Sequence, residues 1–421
     1  MAEGARARPV RTLYVSYDGL LEPIGQSQIL PYLEGLARQD VRLCLLSFEK
    51  AADLARPSPV LSDTRRRLEA VAIRWVALRY HKRPPVVSTL YDLVRGVCRV
   101  LGMAHRHRAQ VLHTRSYVSA AMSLPARWGL RVPLLFDIRG FWVDERVEGG
   151  IWRRGLLYRL AKRVEVVLFR NADAIVSLTH AGERAIRECA EFGARRVPPV
   201  PIAVVPTCVD TERFAPRPRD LALTARLGLE GRTVFTYVGS VGTWYAMDEV
   251  LDFFGVAREQ IGSAALLLIV RGQLHELRAA VARRGLDDIA TITADVSHQE
   301  LPVWLSVSHV GLAFYRPGTS NVARFPTKIG EYLASGLPVV VSGRVGDCDA
   351  FVEQARVGVS VREFTTAEYE GAARRLRELL LDDGLADRAR RLAVTELSVT
   401  EGVRRYSALY RQLVQSDTGP T

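Results

Sequence analysis

Two hydrophobic periods alternate along this chain. Unbroken runs of aliphatic, β-branched and aromatic residues mark strands buried on both faces. Between them, apolar residues return every three or four positions, as on one face of a helix. Arg11–Tyr17 is the first strand and breaks at Asp18-Gly19. Ser27–Ala37 sets Ile29, Leu30, Leu33 and Leu36 on one helical face, and Val41–Ser47 is a second strand. Strands over Ala109–His113, Pro133–Ile138, Ala174–Leu178 and Ile202–Val205 follow. Helices over Ser116–Trp128, Arg153–Arg170 and Ala181–Ala190 lie among them. Six prolines between Val197 and Asp220 then exclude helix and mark a linker. Beyond it the alternation restarts. Strands are expected over Thr233–Val238, Ala265–Val270, Ala290–Ile292, Val310–Phe314 and Pro338–Ser342. Helices are expected over Ala246–Phe254, Leu274–Arg284, Glu300–Ser306, Thr327–Ser335, Thr366–Leu381 and Glu401–Val414.

Strand, loop, helix, strand, repeated twice around a proline-rich linker, predicts an α/β protein of two Rossmann-like, doubly wound domains facing across a cleft. The boundaries expected are 1–208 and 209–396, with a terminal helix, 397–421, able to cross back to the first domain. In each sheet a ligand should sit beyond the carboxyl ends of the strands.

Composition narrows this picture in three ways. The chain has 421 residues, 48% hydrophobic and 25% charged, which suits two buried cores and argues against disorder. No apolar run approaches the ~18 residues of a membrane span, and the start, MAEGARARPV, lacks the apolar centre of a secretory signal. The five scattered cysteines form no CxxC pair, which fits reduced thiols in a cytoplasm and no zinc site or disulfide framework.

Charge is distributed unevenly. Residues 1–205 carry 33 Lys+Arg against 19 Asp+Glu, and the rest 25 against 27. The basic half predicts an anionic partner. Its densest part, Arg65 to Arg108, surrounds Leu90, Leu93, Val94, Val97 and Leu101, which suits peripheral contact with an anionic membrane at its inner face, or delivery of a lipid-diphosphate acceptor. No stacking motif for nucleic acid accompanies it, so nucleic acid is not expected as a partner.

The densest chemistry lies in Arg324-Phe-Pro-Thr-Lys-Ile-Gly-Glu-Tyr-Leu-Ala-Ser-Gly-Leu-Pro-Val-Val340. Pro326 suits a helix start, whose first N–H groups lack helical acceptors and attract an anion. Thr327, Lys328 and Ile329 are therefore candidate anion contacts, with Lys328 adding a full charge. Gly330 is costly inside a helix and suggests close approach of a ligand. Glu331 could accept two sugar or ribose hydroxyls, and Gly336 with Pro338 ends the helix.

With these residues the chain resembles the GT-B fold glycosyltransferases of family 4, a retaining group that uses nucleotide-sugar donors. The resemblance extends to Val204-Val-Pro-Thr-Cys-Val-Asp-Thr-Glu-Arg-Phe214, to Phe235-Thr-Tyr-Val-Gly-Ser240, and to the loop from Tyr17 to Gln28. It implies a retaining hexosyltransferase of glycan, polysaccharide or glycolipid biosynthesis, with a nucleotide sugar as donor and no metal or other cofactor. Glu331 would meet the nucleotide ribose. Gly239, Ser240, Arg271 and Lys328 would meet the diphosphate, as would Gly25 and Gln26 from across the cleft. The family's paired-glutamate motif has its second carboxylate at Glu331, but its first position holds Ala323. An epimerase on the same fold, or a non-catalytic sugar-nucleotide-binding subunit, are the alternatives.

The acceptor side is read from Phe136-Asp-Ile-Arg-Gly-Phe-Trp-Val-Asp-Glu145. Asp137, Asp144 or Glu145 could orient or deprotonate an acceptor hydroxyl, and Arg139 could bind a phosphate. Asp347-Cys-Asp349 imitates a metal-binding DxD, and His105 with His107 a metal box; both are read as chance.

Overall fold

The structure is a computed structural model that describes residues 9–55, 58–192, 199–242, 244–272, 274–294 and 296–416. Most of the amino-terminal stretch behind the signal-peptide expectation, 1–8, lies outside the described residues, as does Pro198 of the proline-rich linker.

Two compact units emerge. The first comprises 1–147, 151–205 and 399–421; the second comprises 148–150 and 206–398. In the first, seven parallel strands are β1 (Val10–Ser16), β2 (Val41–Lys50), β3 (Arg74–Tyr80), β4 (Val111–Arg115), β5 (Leu134–Asp137), β6 (Ala174–Ser177) and β7 (Ile202–Val204), in the order β3-β2-β1-β4-β5-β6-β7. In the second, six parallel strands are β8 (Thr233–Ser240), β9 (Ala264–Arg271), β10 (Ala290–Thr293), β11 (Val310–Ala313), β12 (Val339–Ser342) and β13 (Gly358–Val361), in the order β10-β9-β8-β11-β12-β13. The order reverses once in each sheet, beside β1 and beside β8, and that reversal opens a crevice at the strand ends.

The strand centres bury nearly everything. Leu13, Leu45, Leu112, Leu135 and Val176 are inaccessible in the first sheet. Phe235, Leu266, Leu268 and Leu312 form the middle of the second, with Phe253 and Phe254 of helix Met247–Ile261 against them. The terminal helix Val399–Ser416 belongs to the first unit and buries Tyr406 and Tyr410 there.

Three local expectations change. The helix expected over Ser27–Ala37 is two, Pro23–Gln28 and Leu30–Ala37, broken at Ile29. The basic stretch 65–108, for which no strand is expected, contains β3 between helix Pro59–Ala70 and helix Pro85–Arg106. Gly330 serves packing: a Cβ there would stand 2.9 Å from a Val209 methyl, so the absent side chain lets helix and linker touch.

Candidate active site

The second unit's crevice opens between β8 and β11. The strands pair through Leu312 opposite Tyr237 and then part. Tyr332, from helix Thr327–Ala334, fills the gap: its hydroxyl accepts from the Val238 N–H at 2.8 Å and donates to the Leu312 carbonyl at 3.4 Å. Gly311 makes this possible, since a Cβ there would fall 2.3 Å from the Tyr332 ring.

Lys328 projects into this place from the first turn of the same helix. Its ammonium lies 4.1 Å from the Tyr237 ring centre, 4.6 Å from Tyr245 and 5.5 Å from Tyr315, within reach of cation–π attraction to all three. It is buried and makes no hydrogen bond. Burial pushes its pKa down to about 7, with Glu331 partly opposing the shift. Gly239, at φ +152, leaves the room: a Cβ there would stand 2.9 Å from the ammonium. Gly239 and Lys328, far apart in the chain, are thus brought together.

The remaining residues divide. Pro326 is the N-cap and offers no capping side chain, while the Ile329 N–H already donates to the Pro326 carbonyl at 3.1 Å. Thr327 and Lys328 are therefore better placed than Ile329 to give a backbone N–H to an anion. Glu331 is buried one turn on and accepts from His298 Nε2 at 2.9 Å. The His298 ring lies tilted against that of Phe214, with centres 5.3 Å apart, and the His298 carbonyl accepts from Arg213. Sequence reasoning missed His298; its loop carries no periodic signal. It also gave Arg324 no role, although that guanidinium lies 4.9 Å over Trp244 and 5.6 Å over Tyr315, sharing the latter ring with Lys328. Arg271 is exposed at the end of β9, with a guanidinium N–H toward the Val296 carbonyl at 3.4 Å. Ser240 is exposed, and its carbonyl accepts from the Tyr237 hydroxyl at 3.0 Å. Ala323 is fully buried, so a carboxylate there would meet a heavy desolvation penalty.

The first unit's crevice is organised differently. Asp137, at the end of β5, is buried and accepts from the Tyr406 hydroxyl at 2.8 Å. His113 Nε2 lies 3.6 Å and Arg139 Nη1 3.8 Å from the same oxygen. Burial alone would raise the Asp137 carboxyl, but Arg139, then His113 and Arg115, hold it below its usual value. Burial pushes the His113 imidazole down, and its Nδ1 meets the Tyr410 hydroxyl at 2.6 Å. Burial works against the charge of Arg139, but Asp137 outweighs it and the guanidinium stays protonated. Arg139 adopts φ +56, a strained conformation for a side-chain-bearing residue.

Asp144 turns to a different set: it accepts from Tyr158 at 2.9 Å and from Lys162 at 3.1 Å. Arg139 pairs with Asp137, not with Asp144. Glu145 packs over Gly140, where a Cβ would stand 2.6 Å from its Oε1. Gly25 and Gln26, expected as anion contacts, also have structural work within their own loop. The Gln26 N–H donates to the Glu22 carbonyl, and its side-chain amide serves Leu20 and Thr64. Gly25 is required because a Cβ would collide with the Gly19 carbonyl at 2.2 Å. The preceding loop is already occupied by a carboxylate of the chain itself: Glu49 accepts from the N–H groups of Leu20 at 2.7 Å and Leu21 at 3.1 Å.

Among the described residues no cluster of His, Cys, Asp and Glu could hold a metal ion. Asp347 is the N-cap of helix Cys348–Gln354, and the Asp349 side chain accepts from the next N–H of that helix.

Two parallel sheets with a single order reversal in each define the GT-B architecture. Two family models match in sequence order: a glycosyl transferase 4-like domain over residues 26–208, and glycosyl transferases group 1 over residues 232–382. The chain belongs to this family of group 1, family 4-like glycosyltransferases. Alpha-D-kanosaminyltransferase of Streptomyces kanamyceticus is 23% identical over 256 residues, covering 60% of this chain. The match spans 64% of that relative, less than two-thirds of its length. Among solved structures, a glycosyltransferase from Rickettsia africae aligns with a TM-score of 0.71 at 12% identity, over 97% of this chain and 100% of that one. Anabaena HepE, solved with UDP and glucose, aligns at 0.67 and 16% identity, over 96% of this chain and 100% of that one.

Proposed function

We propose that this protein transfers a sugar from a nucleotide-diphosphate sugar to an acceptor hydroxyl. The observation that carries the reading is Lys328: a buried ammonium held by three tyrosine rings at a strand-order reversal, with no anion of its own. An unpaired buried cation is costly. A diphosphate is the ligand that would turn that cost into binding, and its charge grows as the sugar bond breaks. Lys328, the Thr327 and Lys328 N–H groups, Gly239 and Ser240 would cradle it, with Arg324 and Arg271 on the approach. Glu331, oriented by His298, would accept the ribose hydroxyls.

The acceptor belongs to the first unit in this reading. Its excess of arginine favours an anionic or lipid-linked acceptor, as in the assembly of a glycan, polysaccharide or glycolipid at the cytoplasmic face of a membrane. Arg139 would hold an acceptor phosphate. Asp137, kept ionised, would orient a hydroxyl more readily than deprotonate it. Asp144 and Glu145 would shape the neighbouring helix start. Retention of anomeric configuration is proposed on family resemblance, and the anomer of the product tests it. The diphosphate charge is assigned to side chains and N–H groups, so chelators should leave turnover unchanged.

Lys328→Ala should lower transfer or donor hydrolysis by about a hundredfold or more, roughly 3 kcal/mol in barrier. Unchanged turnover in a folded variant refutes the assignment.

A further inference from the structure

Helices Pro85–Arg106 and Leu156–Asn171 of the first unit are built the wrong way round for a helix that meets only water outside. Each contains a single acidic residue, and in each it is buried. Asp92 is enclosed with His81 Nδ1 at 2.6 Å and the Tyr17 hydroxyl at 3.2 Å. Glu165 is enclosed beside Lys162, to which it is bonded. The outward sides carry the apolar stripe instead. Val87 and Leu90 are 64% and 61% exposed, and Leu156 and Leu160 are 83% and 57% exposed. Val94 continues the first stripe and Val164 the second, at helical spacing. The exposed Lys, Arg, Asp and Glu side chains of the two helices are all cationic: Arg99 and Arg106 on one, Arg159, Arg163 and Arg170 on the other.

Both helices lie on one side of the sheet. One connects β3 to β4 and the other lies between β5 and β6. Both crossovers run in the same direction across the sheet, and right-handed connection puts them on the same face. Each packs against helix Ser116–Leu130, which is largely buried between them. Their outward stripes therefore belong to one surface of one unit.

We propose that this surface seats the protein on an anionic phospholipid bilayer, with the leucines and valines entering the acyl boundary and the arginines meeting the headgroups. Apolar side chains in water with arginines around them, and no exposed acid on either helix, fit a surface that is both apolar and negative. A nucleic acid would use the arginines and leave Leu156 and Leu160 wet. A second copy of this face would set arginine against arginine. The inference does not depend on the transfer reaction.

The test is co-sedimentation of the full chain with vesicles of phosphatidylcholine alone and of phosphatidylcholine mixed with phosphatidylglycerol. Binding is expected to the mixed vesicles only, and to weaken with salt. Leu156→Glu with Leu160→Glu should cut partitioning by about tenfold or more, without lowering the unfolding midpoint, because these side chains are already in water. Arg159→Gln and Arg163→Gln should each cost roughly fivefold. Nucleoside diphosphate binding should be unchanged in all of these variants, which separates failure here from failure of the donor site. Absence of binding, equal binding to both vesicle types, or leucine variants that bind as well as the parent would overturn the proposal. So would a lipid-free dimer that Leu160→Glu dissociates, since that would assign the surface to a second copy.

Discussion

The two crevices are made from the same parts and treat charge in opposite ways. At the end of β5, Asp137 is surrounded by its own compensation: Tyr406, His113 and Arg139 all approach one carboxylate oxygen. The loop after β1 is likewise closed by Glu49. At the end of β8 the charge is left open, for Lys328 has aromatic faces around it and no hydrogen bond. A buried charge with its counter-charge beside it holds a fold in one arrangement, whereas a buried charge without one lowers stability until something completes it. In the proposed reading, the contrast gives the donor diphosphate to the second unit and the positioning of the acceptor to the first.

The contrast gives opposite signs to two substitutions. Asp137→Asn should destabilise by about 3–5 kcal/mol, because it leaves Arg139 buried without its counter-charge; denaturant unfolding measures this. Lys328→Met should instead stabilise the ligand-free protein by roughly 2–4 kcal/mol near pH 7, because it removes an unpaired buried ammonium. If both variants shift the midpoint in the same direction, the contrast fails.

The pH dependence sharpens it. Burial depresses the folded pKa of Lys328 to about 7 from the ordinary lysine value of 10.5. Below pH 7 the ammonium is charged in both states, and the folded state bears the full penalty. Between about pH 7 and 10.5 the unfolded chain binds more protons, so stability should rise with pH. Lys328→Met should lack that increment. The smallest expected effect is at Tyr332→Phe, which loses the hydroxyl between Val238 and Leu312 and should cost about 1 kcal/mol with the donor site still formed.

Much of the fold was legible because strands buried on both faces read as unbroken apolar runs, as in Val310–Ala313 and Val339–Ser342. β3 was not, since Arg-Trp-Val-Ala-Leu-Arg-Tyr is an edge strand with arginines in it. The break at Ile29 was hidden because an apolar residue continues the helical period. In the site, Lys328 and Glu331 could be read from their shared helix. The tyrosine cage could not, because Tyr237, Tyr245 and Tyr315 sit in separate segments that only the pairing of β8 with β11 brings together. Tyr406 reaches Asp137 across 269 positions of sequence, a distance at which no local pattern operates.

Titration calorimetry of UDP and GDP with the parent protein and with Lys328→Met, at pH 8 in two buffers of different ionisation enthalpy, tests the central claim. A caged lysine neutral before binding and charged after it should take up close to one proton per diphosphate bound, and the methionine variant should bind at least about a hundredfold more weakly with no uptake through that group. Equal affinities in the two proteins, with heats that do not depend on the buffer, would contradict the account.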